Sequence, residues 1–189
     1  MESRVVLEKI AAQVEEACRS STNPFGYGIW SHHTVHVVEY AQVLARRLGA
    51  EEEIVTLAAL LHDYAAIRDE NLRAQHHIHG ARLAEDTLRA YGYPEERIAQ
   101  VAHCILSHRA SVSVPRNTLE AEVVASADAM AHFTSVASLL HFAFAKRGLS
   151  VEEGSAWVLA KLARSWEKLR PEAQELVREK YEAIKTALG

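Results

Sequence analysis

The stretch Ile54-Val55-Thr56-Leu57-Ala58-Ala59-Leu60-Leu61-His62-Asp63-Tyr64-Ala65-Ala66-Ile67 sets a histidine and an aspartate inside a segment otherwise built for burial. An ionised carboxylate in such a setting loses hydration and needs a counter-charge, because an unpaired buried charge costs enough to neutralise the group instead. A bound metal ion is one way to hold both side chains there. Nine of the eleven histidines fall between His32 and His108, which directs attention to that part of the chain.

Around this stretch apolar positions recur at helical spacing, and no sustained period-two segment rich in β-branched and aromatic residues interrupts them. The pattern predicts an all-α protein folded as a compact helical bundle. Helices are expected over 5–19, 31–48, 51–67, 78–91, 95–107, 119–133, 135–146, 151–169 and 172–188. Three glutamates open the 51–67 helix, where they suit the positive end of its dipole. The polar residues 69–75 read as loop, Gly92-Tyr93-Pro94 as a turn, and 112–117 as a further connection. The loop Pro24-Phe25-Gly26-Tyr27-Gly28-Ile29-Trp30 mixes turn formers with aromatics and is expected to fold over something.

With 189 residues the chain is of ordinary single-domain size and needs no disulfide to build a core. Cys18 and Cys104 match no metal-binding spacing, and Cys104 reads as a small packing residue. A formal net charge of -4 argues against a nucleic-acid polymer as partner, although a local patch around Arg68, Arg73, Arg82 or Arg109 can still attract phosphate. The first residues carry early acidic side chains and do not read as a signal peptide. No stretch approaches the ~20 apolar residues that span a bilayer. The expectation is a soluble cytoplasmic protein with no membrane partner.

Besides His62 and Asp63, two ionisable residues lie on segments built for burial: His33 at the start of the second helix, with His32 as its alternative, and Asp128 in Val123-Val124-Ala125-Ser126-Ala127-Asp128-Ala129-Met130. Imidazole nitrogen and carboxylate oxygen together suit zinc, iron, manganese and other divalent ions better than a thiolate site would. Ligands on separate helices can converge inside a bundle. Neighbouring residues on one helix point about 100° apart, so His62 and Asp63 share an ion only if it sits between their directions.

This ordered set, in its contexts His33-Thr34-Val35-His36-Val37, Leu57-Ala58-Ala59-Leu60-Leu61-His62-Asp63 and Ala125-Ser126-Ala127-Asp128, resembles the HD superfamily of metal-dependent phosphohydrolases. The resemblance implies one helical HD-type domain over 1–189, with a motif-bearing core at about 31–132 and helices over 135–188 packed on it. It also implies His33, His62, Asp63 and Asp128 as ligands of one divalent metal, and does not choose among iron, manganese, zinc, nickel, cobalt and magnesium. Members with a second metal use further histidines and bridge the two ions through the aspartate of the pair. This chain offers His76, His77 and His79 before Gly80-Ala81, then His103 and His108. The spacing from His76 to Gly80-Ala81 is similar to that of dinuclear members. His103 and His108 would lie about 140° apart on a helix, so one of them is expected to face the site. His108, beside Arg109, is favoured and His103 competes.

By the same resemblance the expected activity is hydrolysis of a small phosphate ester or nucleotide by metal-activated water, with Asp63 and His62 as catalytic residues and a small-molecule phosphate as partner. His36, Arg68 and Arg109 are candidate substrate-binding groups. The chain departs from the family at His36, where many members carry Arg, and at Tyr64-Ala65-Ala66, where some carry Lys. The alternatives are a di-iron oxygenase or lyase on the same scaffold, or a metal-containing binding or regulatory module. His132 and His141 read as structural. The stripes Trp157, Leu162, Trp166, Leu169 and Leu176, Val177, Tyr181, Ile184, Leu188 read first as core packing and second as a homo-oligomer interface.

Overall fold

Residues 54–61, the apolar run before the His62-Asp63 pair, are all buried. The rest of the fold is arranged around them in a computed structural model that describes residues 2–109 and 114–189. In chain order come α1 (Glu2–Arg19), a π-helical turn (Trp30–Thr34), α2 (Val35–Leu48), α3 (Glu52–Leu61), α4 (Tyr64–Arg68), a 3-10 turn (Glu70–Gln75), α5 (His76–Ala90) and α6 (Glu95–Ser107). Then follow α7 (Leu119–Thr134), α8 (Val136–His141), a second π-helical turn (Phe142–Lys146), α9 (Val151–Trp166) and α10 (Pro171–Leu188). No strand occurs among the described residues, as the helical periodicity predicts. The expected connection at 112–117 lies partly outside the described residues, and 114–117 carry no helix.

A helix that is apolar on every side must be covered on every side. α3 meets this by packing against α1, α2, α6 and α7. α7 is covered by α2, α6 and α10, and buries Val123, Val124, Ala127, Met130 and Phe133. α1 lays Ile10 and Val14 into the core, and the Gln13 amide donates to the Tyr64 hydroxyl at 3.0 Å, tying α1 to α4. α2 ends where Gly49 takes φ 79°, a left-handed conformation that glycine adopts without Cβ strain, and its N–H bonds the Ala45 carbonyl. Both cysteines are buried and free, and burial pushes each thiol up to about 12.

Four expectations are corrected. The single helix over 51–67 is broken at His62-Asp63, where Asp63 takes φ -103° and ψ 3° and α4 starts afresh. An uninterrupted apolar pattern hides such a break, since both halves are buried. The presumed loop 69–75 forms the 3-10 turn, begun by the Asp69 carboxylate accepting from the Asn71 N–H at 2.9 Å. α5 begins at His76, so that histidine belongs to its first turn. The helix over 135–146 divides into α8 and a π-helical turn.

Two glycines permit close approaches. A Cβ on Gly80 of α5 would stand 3.3 Å from both the His62 carbonyl oxygen and Ile105 Cγ2. A Cβ on Gly154 of α9 would fall against the ring of Phe144. α9 is itself fixed at its start by a capping box, with Ser150 and Glu153 each accepting the other's backbone N–H. Among the described residues no single helix is long and apolar enough to cross a membrane. Among those residues α7 with the segment after it passes that test as a pair, and the two are bent by 77°.

Gly80→Val drives side-chain carbon into the peptide that carries His62. It is expected to cost about 2 kcal/mol or more of stability, read as a lower midpoint in thermal or denaturant unfolding.

Candidate metal centre

The helix break at Asp63 lets its carboxylate turn to the same side as the His62 ring. Asp63 Oδ2 lies 3.3 Å from His62 Nε2 and 3.6 Å from His33 Nε2, while its other oxygen, Oδ1, lies 3.3 Å from His76 Nε2. Asp128, arriving from α7, sets Oδ1 3.3 Å from His33 Nε2 and 3.9 Å from His62 Nε2. The π-helical turn before α2 presents His33, and α6 delivers His108 at its C-terminal end.

Three rings are oriented by one device. His62, His76 and His108 each donate Nδ1–H to the carbonyl three residues earlier, of Ala59, Arg73 and Ile105, at 2.7, 2.9 and 2.6 Å. That bond fixes the tautomer and leaves the Nε2 lone pair pointing into the centre, the arrangement that ligating histidines use. Nε2 atoms then face each other at 3.2 Å in the pairs His33–His62 and His76–His108. Two lone pairs that close need a proton or a cation between them. Among the described residues, His33, His62 and Asp128 form one group of donor atoms within 4.8 Å of one another, and Asp63, His76 and His108 form another. Nitrogen and carboxylate oxygen in these proportions fit a divalent cation in each group, and the two oxygens of Asp63 face both.

The electrostatics of the cluster follow from burial and from its two carboxylates. For His62 burial opposes charge, but the adjacent Asp63, and after it Asp128, outweigh this and push the imidazole up to about 9. Burial would raise Asp63, yet His62, His76 and His33 hold it well below the usual carboxylate range. Asp128 is lowered in the same way, against burial, by its hydrogen bond with His33 and by His132. Burial and the charge of His62 push His108 down to about 4. Burial, then Lys161, hold His132 well below its ordinary value.

Of the other candidates from the sequence, His32 is exposed and bonds Ser31, and His36 pairs with Glu39 at 3.0 Å. His103 accepts from the Asn117 N–H at 3.2 Å, and neither it nor His79 belongs to a donor group. Arg68 lies over the Tyr64 ring at 5.6 Å, away from the pocket. Arg109 does line the pocket, with its guanidinium bonded to the Ala74 carbonyl. Sequence reasoning missed His132, which stacks on His33 with centroids 5.0 Å apart and rings 18° from parallel. Its spacing, one turn after Asp128 on α7, was the available signal. It also missed Trp157, Lys161, Arg164 and Lys168, which line the same pocket as the two carboxylates.

The HD domain family model matches residues 30–132, the span from the first π-helical turn to His132. The chain belongs to the HD-domain family. Among curated relatives, Ribonuclease Y of Thermobifida fusca is 35% identical over 98 residues, which make up 52% of this chain and 18% of that protein. The chain therefore spans less than a fifth of the length of that relative. Among solved structures, the Lin1889 protein of Listeria innocua superposes with a TM-score of 0.76 at 16% identity, covering 100% of this chain and 94% of the other. YpgQ of Bacillus subtilis gives 0.75 at 22% identity with the same coverage, and its complex with ADP gives 0.73 over 96% and 93%. These likenesses establish the fold, and the HD core holds all six residues of the two donor groups.

The metal-free protein is expected to be most stable near pH 6.5. His62 is raised from 6.5 to about 9, so its stabilisation is complete below 6.5 and is lost as pH climbs through 9. His108 is depressed from 6.5 to about 4, so its contribution is present above 6.5 and is lost as pH falls toward 4. Each arm is worth on the order of 3 kcal/mol. Thermal melts of chelator-treated protein between pH 4 and 10 measure both arms. A bound divalent cation is expected to abolish the alkaline one, because it replaces the proton as counter-charge.

Proposed function

We propose that this HD-domain protein is a metal-dependent phosphohydrolase acting on a small phosphate ester or nucleotide. One observation carries the reading: the Asp63 carboxylate faces two histidine groups at once, in a pocket also lined by Arg109, Lys161 and Arg164. His33, His62, Asp128 and Asp63 would hold one divalent ion, and Asp63, His76 and His108 a second. When bound, such ions neutralise phosphoryl oxygens and lower the pKa of water.

The remaining roles fall to the chain's own residues. Asp63 accepts a proton from the attacking water, and a histidine of the pocket returns one to the leaving oxygen. His62 is held by the Ala59 carbonyl with Nε2 facing Asp63. Arg109, anchored on Ala74, presents positive charge to the phosphate. A net charge of -4 supports a small substrate over a nucleic-acid polymer. The ADP complex of the structural relative YpgQ supports a nucleotide. We read the whole chain as one domain in which the helices after 132 cover the metal-facing pocket.

Protein purified without added metal should contain a divalent transition metal by elemental analysis and release phosphate or pyrophosphate in a screen of nucleotides and sugar phosphates. Asp63→Ala and His62→Ala should each lose about 100-fold or more of that activity. Retained activity in both would sink the enzymatic reading, and cleavage of an RNA oligonucleotide in preference to every small ester would overturn the small-molecule one. His108→Ala should lower the metal content per chain, whereas His103→Ala should leave it unchanged.

A further inference from the structure

Several cations of this protein are held in ion pairs. Arg46 pairs with Glu52, Arg47 with Glu175, Arg89 with Glu95, Arg97 with Glu53 and Arg170 with Glu122. Among the described residues Lys161 and Arg164 make neither a hydrogen bond nor an ion pair, and what sets them apart is their place: both line the pocket of about 390 Å³ above the donor groups. Lys161 is half-buried, with its ammonium in the field of Asp128 and Asp63 and beyond bonding distance of either. A half-buried cation beside a pocket and without a partner costs stability, so its retention points to an anion that arrives later.

Both residues sit on one stripe of α9. Trp157, Lys161 and Arg164 are spaced by four and three, which brings them to a single face of α9, and Lys168, just past its end, lines the same pocket. Trp157 also borders the second, wider cavity of about 1260 Å³, beside Phe142 at 5.8 Å between ring centroids and near Phe25, Ile29 and Leu139. α9 lies outside the residues 30–132 that match the HD family, so this wall is added to the shared metal-facing core.

We infer that α9 is the specificity element of the site, with Lys161 and Arg164 clamping the substrate phosphate and Trp157 supporting a flat, apolar group attached to it. The inference rests on the proposed activity for the identity of the anion as substrate. It assigns the two cavities different halves of one molecule. The phosphate lies between the donor groups and the cations, and the organic part lies along the aromatic groove. Aryl-like esters are thereby favoured over small polyol phosphates.

The test uses the metal-loaded 189-residue chain and inorganic phosphate as probe, titrated by calorimetry. Lys161→Met and Arg164→Gln should each weaken phosphate binding about tenfold or more, as expected for loss of a charge-assisted bond. Trp157→Ala should leave it within about twofold, yet reduce the preference for p-nitrophenyl phosphate over glycerol 2-phosphate, measured by kcat/KM. In phosphate-free buffer Lys161→Met should raise Tm, because it removes an unpaired charge, and a lysine with a merely structural role would lower it. Unchanged phosphate affinity in Lys161→Met, or equal weakening in Trp157→Ala, overturns the assignment. If no phosphate ester is turned over while phosphate binding still depends on Lys161 and Arg164, the clamp stands and the proposed activity falls.

Discussion

The site depends on one carboxylate that faces two ways. Asp63 directs Oδ2 toward His33 and His62 and Oδ1 toward His76. Such a carboxylate needs a helix that stops beside it, and α3 gives way to α4 at that residue. It needs imidazoles with fixed tautomers, and three backbone carbonyls at i-3 fix them. It needs α5 close enough to bring His76 to bonding range, and Gly80 removes the one side chain that would hold α5 away from the His62 peptide. The buried residues 54–61 provide the rigid base for all of this.

Much of this arrangement was legible in the sequence. Helical periodicity shows an all-α chain because burial on two helical faces leaves a direct trace in apolar spacing. The contrast between polar residue and apolar setting marks His62, Asp63, His33 and Asp128, which the fold brings together. The break at Asp63 left no trace, since hydrophobic pattern reports burial and not backbone direction. The choice of His76 over His79 and of His108 over His103 turns on helix start points and ring direction, quantities set to within one residue only by tertiary contacts.

The C-terminal part was least legible, for an instructive reason. Trp157 and Leu162 read as a packing stripe, and Leu162 does pack, being fully buried. Yet the stripe is two-sided: Val158 and Leu162 face the core while Trp157 and Lys161 face the pocket. A long amphipathic side chain such as lysine spans both environments, so its functional position is hidden by an ordinary helical pattern. His132 was hidden differently, because only its spacing of one turn from Asp128 tied it to the site.

The contact between Gly154 and Phe144 has a consequence for how the family can diversify. The phenyl ring occupies the volume that a side chain on α9 would otherwise fill, so the helix sits one methyl closer to the π-helical turn than any other residue would allow. Residue sizes at 144 and 154 are therefore coupled. Among relatives sharing this C-terminal arrangement they should vary inversely, a bulkier residue at one position accompanying a smaller one at the other. Each exchange would shift α9, the helix that carries Trp157 and Lys161, without touching a metal-facing side chain.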